Sequence, residues 1–246
     1  MRVLLPLLLP VFLTAQALAA ENLLHVTTTP AARAEPEARE RHERILALPG
    51  RATARVAFLG DSITERWQAE DGGEATWERV WAPLGAVDLG VSGDRTEHVL
   101  WRLAHGALDG MAPRVVVLLI GTNNAGHMAE DAAYRISPRQ TADGVAAIIA
   151  QVQARCPQAR LLLLAILPRG EEETDAVRQQ TDATNTLLKG LADGQRVRWL
   201  DTGRCFMKAE NTDVDVTTMP DLLHPSPEGY RRWAAVLAPA VAELLR

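Results

Sequence analysis

The apolar residues of the chain gather into five short runs, and each run ends in glycine or in small polar residues. The runs are RVAFLG at 55–60, AVDLGV at 86–91, RVVVLLIG at 114–121, RLLLLAILP at 160–168 and VRWLD at 197–201. The third and fourth are apolar without alternation, which is typical of strands buried on both faces of a parallel sheet. We therefore predict five β-strands.

Helical patterns lie between and after these runs. Apolar residues recur at helical spacing in 96–108, and 137–156 opens with a serine cap followed by proline. Segment 176–191 follows, and 226–245 again begins with Ser-Pro. The alternation of strands and helices predicts an α/β fold with three α/β/α layers, built on a doubly wound, five-stranded parallel sheet.

Small and polar residues follow the ends of the predicted strands. They include GDS at 60–62, GVSGD at 90–94 and GTNN at 121–124. Open α/β sheets bind ligands at the carboxyl ends of their strands, near the point where the strand order reverses. We therefore expect a functional site at this edge of the sheet.

Ser62 is the candidate nucleophile. It precedes the helix-like ITERW, so its hydroxyl would lie at a helix N-terminus, where the helix dipole favours developing negative charge. A simple turn or helix cap is the alternative interpretation. Thr64 occupies the position of the second glycine in G-x-S-x-G, which disfavours an α/β-hydrolase of that type.

His224 is the candidate base for this hydroxyl. In PDLLHPSPEGY, Asp221 precedes His224 by three residues on a short, proline-stiffened turn. The carboxylate can hold one ring N–H and orient the other ring nitrogen toward a hydroxyl. The same turn could instead only cap the last helix.

Acyl transfer also needs donors for the oxyanion. The backbone N–H of Ser62 is one candidate. Gly93 lacks a β-carbon and allows close approach of a second backbone N–H, and the Asn123 amide is a third candidate. Each residue also has a purely structural interpretation as a turn or cap, but together they place the parts of an acyl-transfer site on neighbouring loops.

The remaining histidines carry weaker signals. His42, His98 and His105 fall within predicted helices, where we expect them on the surface. His127 follows GTNNAG in a loop that could approach the site. His25 lies in the N-terminal stretch 21–34, which has no periodicity and is predicted to be extended or loose.

Residues 1–19 have the pattern of a secretory signal peptide. A basic residue precedes a leucine-rich run, and Ala17-Leu18-Ala19 fits the small-x-small cleavage pattern. A membrane anchor is the competing interpretation, but two prolines interrupt a stretch shorter than the roughly 20 apolar residues of a span. We predict a lead-in and helix at 20–50, a hydrolase domain at 51–246, and a secreted or periplasmic protein with no stable membrane anchor.

The charge and cysteine content exclude several classes of function. Without the leader, 25 basic and 31 acidic residues give a formal charge of about −6 and form no basic cluster, so we expect no nucleic-acid partner. Cys156 and Cys205 are predicted at opposite ends of strands about 20 Å long, too far apart for a disulfide.

The absence of H-x-H and HExxH spacing predicts no metal, and no cofactor is expected.

The motifs in combination resemble the SGNH (GDSL-type) serine hydrolases. GDSIT, GVSGD, GTNN and DLLHP match the four blocks of that family in order. GVSGDRTEHVLWRL and ILPRG are particularly similar to the branch with the catalytic subunits of intracellular platelet-activating-factor acetylhydrolase and with exported bacterial acetylesterases. The resemblance implies a flavodoxin-like sheet, Ser62 as nucleophile, Asp221 and His224 as the acid–base pair, and Gly93 and Asn123 in the oxyanion hole.

The resemblance further implies hydrolysis of short-chain esters, most of all acetyl esters. We expect the substrate to be a small-molecule or carbohydrate ester, and Asp61, Arg95 and Arg169 are candidates for contacting it. One alternative is a lysophospholipase or thioesterase with the same catalytic residues. Another is a carbohydrate-binding protein that has kept the fold and lost the chemistry. Three tryptophans, Trp67, Trp77 and Trp81, are interpreted as packing residues rather than as a sugar platform.

Overall fold

A computed structural model describes residues 26–126, 136–210 and 212–246. The predicted leader at 1–19, His25 and His127 lie outside these described residues. Within them the sheet has five parallel strands, which are β1 Val56–Gly60, β2 Ala86–Gly90, β3 Val115–Leu119, β4 Arg160–Leu164 and β5 Val197–Leu200. The predicted five-stranded parallel sheet is thus confirmed.

The strands lie in the order β2-β1-β3-β4-β5. The direction of winding reverses between β1 and β3, which makes the carboxyl ends of these two strands the expected ligand-binding position. Gly60 at the end of β1 is level with Gly90 of β2 and Leu119 of β3. The loops that carry the predicted site residues therefore leave the sheet at one height.

Helices cover both faces of the sheet. Within the described residues the α-helices are α1 Pro36–Leu46, α2 Ser62–Glu65, α3 Glu74–Thr76, α4 Thr96–Ala104, α5 Pro138–Arg155, α6 Ala176–Lys189 and α7 Pro227–Leu244. The serines that precede α5 and α7 cap them as the sequence predicts, since Ser137 and Ser226 each accept a backbone N–H. No helix in the described part of the chain combines the length and apolarity needed to cross a membrane.

Alternate residues of each strand enter two separate cores, because successive side chains point to opposite faces of a sheet. Ala57 and Leu59 pack in one core with α1, α4, α5 and α6. Val56 and Phe58 pack in the other with α2 and α7. That second core also holds four fully or almost fully buried tryptophans, and this burial confirms the packing role predicted for the first three: Trp67, Trp77, Trp81 and Trp233.

Two local predictions differ from the structure. The fourth strand ends at Leu164 although its apolar run continues to Pro168, because the Ile166 N–H bonds to the Asn185 side chain instead of to a strand. His42 is buried, not on the surface, with its Nε2 3.1 Å from the carbonyl of His105. Burial lowers its pKa from the ordinary value of 6.5.

Cys156 and Cys205 are free thiols.

Candidate active site

The turn after β1 explains the abrupt change from apolar residues to Gly60-Asp61-Ser62. A β-carbon on Gly60 would collide with the Thr64 side chain and the Leu119 carbonyl, so only glycine allows this close approach. Asp61 caps α2 by accepting the Ile63 N–H at 3.0 Å. Ser62 is consequently held, half-buried, as the first residue of the helix.

Ser62, His224 and Asp221 form a hydrogen-bonded chain. The Ser62 Oγ lies 2.9 Å from His224 Nε2, and His224 Nδ1 lies 2.7 Å from Asp221 Oδ2. The carboxylate accepts only, so the ring carries its proton on Nδ1 and leaves Nε2 free to accept the Ser62 hydroxyl proton. The structure therefore brings these three predicted residues together across 162 residues of sequence.

The turn that carries Asp221 and His224 is tightly fixed. Asp221 Oδ1 accepts the backbone N–H groups of Leu223 at 3.0 Å and His224 at 2.7 Å. Burial raises the pKa of Asp221, but the hydrogen bonds from His224 and Leu223 outweigh this and lower it below its ordinary 3.8. Leu222 has a φ of 60°, a strained conformation for a residue with a side chain. The turn thus holds an ionised carboxylate against the imidazole.

The two other predicted oxyanion donors lie on adjoining loops. Gly93 has a φ of 78°, which favours glycine, and a β-carbon there would lie 2.5 Å from Arg33 Nη1, so the arginine side chain would have to move. The Asn123 Nδ2 donates to the Asp94 carbonyl at 2.9 Å, which joins the β3 loop to the Gly93 loop. The Ser62 N–H belongs to the first turn of α2 and has no acceptor within its helix.

A buried ion pair that the sequence did not predict supports both loops. Arg102 Nε lies 2.6 Å from Asp94 Oδ2. The same guanidinium donates to the Leu89 carbonyl at 2.7 Å and to the Gly60 carbonyl at 3.0 Å. It therefore joins the end of β1, which leads to Ser62, to the loop that contains Gly93.

The three candidate substrate contacts have different surroundings. Asp61 is fully buried and caps α2, so the expectation that it touches substrate does not hold. Arg95 lines a cavity beside Gly93 and Asn123. Arg169 donates to the Thr122 carbonyl at 3.0 Å, and its position near the carboxylates of Asp61 and Asp221 partly offsets the lowering of its pKa by burial.

A polar cavity of about 470 Å³ opens beside Gly93 and Asn123. Its remaining wall comes from residues 32–35 and from two residues at the start of α4, Arg95 and His98. The sequence predicted His98 on the surface and residues 21–34 as an extended or loose segment. The structure instead anchors the described part of that segment, with Ala31 N–H on the Glu97 carbonyl and Thr27 Oγ on the Gln140 carbonyl.

The described residues contain no group of three histidine, cysteine, aspartate or glutamate side chains arranged to hold a metal ion. The arrangement instead supplies the parts of covalent acyl transfer: a hydroxyl hydrogen-bonded to an oriented imidazole, with N–H donors nearby. Fold and geometry together define the class of serine-type acyl hydrolases.

Comparison with known proteins identifies the family. The profile of the GDSL-like lipase/acylhydrolase family matches residues 58–232. The chain belongs to this family and is a carboxylic ester hydrolase. It is 35% identical over 190 residues to platelet-activating factor acetylhydrolase IB subunit alpha1 of Bos taurus, covering 77% of this chain and 75% of the relative. Subunit alpha2 of Homo sapiens is 35% identical over 191 residues, with 77% of each chain covered.

Solved structures share the fold at lower sequence identity. A GDSL-like lipase from Bacteroides thetaiotaomicron superposes with a TM-score of 0.67 at 22% identity, covering 83% of this chain and 97% of that one. An acetylxylan esterase from Geobacillus stearothermophilus gives a TM-score of 0.58 at 19% identity, with 77% and 93% covered. At these identities the likeness establishes the common architecture.

Proposed function

We propose that the chain hydrolyses short-chain esters, acetyl esters above all, and that its natural substrate is an O-acetylated carbohydrate outside the cytoplasm. The single observation on which the chemistry depends is the 2.9 Å contact between the Ser62 Oγ and His224 Nε2, with Asp221 at 2.7 Å from the far side of the ring. This contact joins a hydroxyl to a base of the correct tautomer.

In the first half of the reaction, Ser62 Oγ attacks the acyl carbonyl carbon while His224 Nε2 takes the hydroxyl proton. The N–H groups of Ser62, Gly93 and Asn123 stabilise the negative oxygen of the tetrahedral intermediate. His224 then gives its proton to the departing alcohol oxygen, and the acyl group remains on Ser62. Asp221 stays ionised and stabilises the imidazolium that forms between the two proton transfers.

In the second half, water replaces the alcohol. His224 Nε2 removes a proton from the water as its oxygen attacks the acyl-Ser62 carbonyl, and the same donors again stabilise the oxyanion. When the intermediate collapses, the bond to Ser62 Oγ breaks and the proton returns to that oxygen. Carboxylic acid and free enzyme are the products.

Two observations support the small acyl group and the polar alcohol. The cavity beside Gly93 and Asn123 has charged and polar walls, and an alkyl chain placed there would desolvate charged groups without replacing their hydrogen bonds. The relatives include proteins named acetylhydrolase and acetylxylan esterase. The proposed export follows from the signal-like sequence at 1–19.

The Ser62→Ala variant tests the nucleophile. It should lower the rate of 4-nitrophenyl acetate hydrolysis by at least about 10⁴-fold. Ser137→Ala is the matched control, because Ser137 is a true helix cap; its loss should cost about 1 kcal/mol of stability and leave turnover intact. Turnover retained by Ser62→Ala would show that Ser62 is not the nucleophile and would refute the mechanism.

The substrate and location need separate measurements. Acetate release from a panel of acetylated oligosaccharides, compared with octanoyl esters and lysophospholipid, tests the preference for acetyl groups on sugars. A higher rate on octanoyl esters or lysophospholipid would contradict it. N-terminal sequencing of the protein recovered from outside the cytoplasm should begin at Ala20 or Glu21; an intact N-terminus would contradict cleavage of the leader.

A further inference from the structure

The cavity beside the proposed oxyanion donors is positioned to bind the part of the substrate that surrounds the acyl group. Gly93 and Asn123 line it together with residues 32–35, Arg95 and His98. A group bound there would lie next to the reacting ester. The hydrogen-bonding character of the wall therefore bears on which substrates are accepted.

His98 supplies a fixed hydrogen-bond donor to this wall. Its Nδ1 lies 3.0 Å from the backbone N–H of Arg95 and must accept that hydrogen, so the ring proton is on Nε2. Burial lowers the pKa of His98 to about 4, which keeps the ring neutral at neutral pH. Among the residues that the structure describes, no protein group accepts the Nε2–H.

Glu35 supplies an acceptor to the same cavity wall. Its carboxylate lies 2.8 Å from Arg33 Nε, and that hydrogen bond lowers the pKa of Glu35 to about 2, so it stays ionised. The Glu35 side chain is 56% exposed and has free lone pairs. Arg33 is fixed in turn by donating to the Ser92 carbonyl at 3.0 Å. Since Arg33 and Glu35 pair, their charges offset each other, and Arg95 lines the same cavity.

A ligand that matches such a wall must both donate and accept hydrogen bonds. Hydroxyl groups do both, which makes a polyol suitable and an alkyl chain unsuitable. We propose that this cavity is the binding site for the alcohol part of the substrate, that it takes a neutral sugar, and that His98 and Glu35 determine this specificity. The proposal rests on the proposed function above.

The family match does not assign this site. The profile begins at residue 58, so the wall formed by residues 32–35 lies outside the matched region. The segment reaches the site because Ala31 and Arg33 are hydrogen-bonded to α4 and to the loop after β2.

Two substitutions of His98 distinguish the loss of its Nε2–H donor from the loss of its helix-capping contact through Nδ1. His98 also caps α4 through Nδ1, and glutamate or glutamine at the same position can accept the Arg95 N–H. His98→Glu therefore keeps the cap and loses the donor, whereas His98→Gln keeps the cap and supplies an amide donor. His105→Ala is the matched control, since His105 is an exposed histidine at the end of the same helix.

The measured quantity is the ratio of kcat/KM for acetylated xylo-oligosaccharide to kcat/KM for 4-nitrophenyl acetate. One lost hydrogen bond should lower this ratio about five- to tenfold in His98→Glu, chiefly through a higher KM for the sugar ester. In His98→Gln the ratio should stay close to the wild-type value. His105→Ala should match the wild type. The proposal is overturned if His98→Glu leaves the ratio unchanged, or if glutamate and glutamine lower it equally.

Direct binding distinguishes failure of this site from failure of the proposed chemistry. Isothermal titration of the Ser62→Ala variant with xylotriose, mannotriose and cellotriose needs no turnover, and at least one should bind. Adding His98→Glu should weaken that binding. Absence of binding by all three overturns the sugar site even if acetyl esters are hydrolysed. Binding by a wild-type protein without esterase activity would refute only the proposed function.

Discussion

Replacing Arg102 by methionine perturbs the ion pair that joins the nucleophile loop to the Gly93 loop. The Arg102 and Asp94 side chains are only 3% and 1% exposed. Methionine keeps much of the volume but removes the charge and the donors to the carbonyls of Leu89 and Gly60. The Asp94 carboxylate and the two carbonyls then lose their partner in a site with little access to water.

Breaking a buried ion pair by removing one partner destabilises a protein by about 3–5 kcal/mol. For a chain of this length, each kcal/mol lowers Tm by about 2–4 °C, so we expect a fall of about 6–20 °C. Burial already raises the pKa of Asp94 to about 6 although Arg102 opposes the rise. Without Arg102 the pKa of Asp94 rises further. A carboxyl group whose pKa is higher in the folded than in the unfolded state makes the folded protein less stable as the pH rises. The loss of stability in Arg102→Met should thus be larger at pH 8 than at pH 5.

Urea unfolding at both pH values, together with thermal unfolding, measures the effect. Arg198→Met is the control, because Arg198 and Glu243 form an exposed pair at 3.1 Å whose loss should cost less than about 1 kcal/mol. Asp94→Asn combined with Arg102→Met should be more stable than Arg102→Met alone, since no charge remains unpaired. If Arg102→Met unfolds within 1 kcal/mol of wild type, the inference that this pair holds the two loops is wrong.

Three further predictions concern the site. Asp221→Ala should lower kcat about 10²- to 10⁴-fold, because the imidazole loses its orientation; steady-state kinetics with a near-wild-type kcat would contradict this. Asn123→Ala should lower kcat for 4-nitrophenyl acetate about 10²- to 10³-fold with little change in KM, and a change confined to KM would remove Asn123 from the oxyanion hole. Burial raises the pKa of Asp61 from 3.8 to about 7, so the wild type loses stability as pH rises toward 7. Asp61→Asn should therefore gain in Tm over wild type at pH 8 but not at pH 4, and an equal Tm difference at both would disprove this.

Much of the architecture could be predicted from the sequence because its causes are local. A strand buried on both faces needs an uninterrupted apolar run, and β3 and β4 each have one. The serines at 137 and 226 cap helices through bonds to residues three positions later. The predicted strand ends were less accurate, because beyond β4 the Ile166 N–H donates to the side chain of Asn185, a residue on another element.

The catalytic geometry could be predicted for a topological reason. Ser62 and Asn123 follow β1 and β3, and a doubly wound sheet places the carboxyl ends of these strands side by side at its reversal point. Asp221 and His224 are three residues apart, so one turn is enough to pair them. Arg102 gave no comparable signal: its three acceptors lie 8, 13 and 42 residues away, and a helical arginine is ordinarily a surface residue.

The N-terminal wall of the cavity could not be predicted, because its position depends on contacts with distant residues. Thr27 bonds to Gln140, 113 residues away, and Arg33 bonds to Ser92, 59 residues away. Nothing in the composition of residues 21–34 indicates either contact. Yet the Arg33 guanidinium lies directly against Gly93, so a residue known from its motif is contacted by a segment that has no motif. The shape of the cavity beside Gly93 and Asn123 is therefore set jointly by a family loop and by a part of the chain that the family profile does not include.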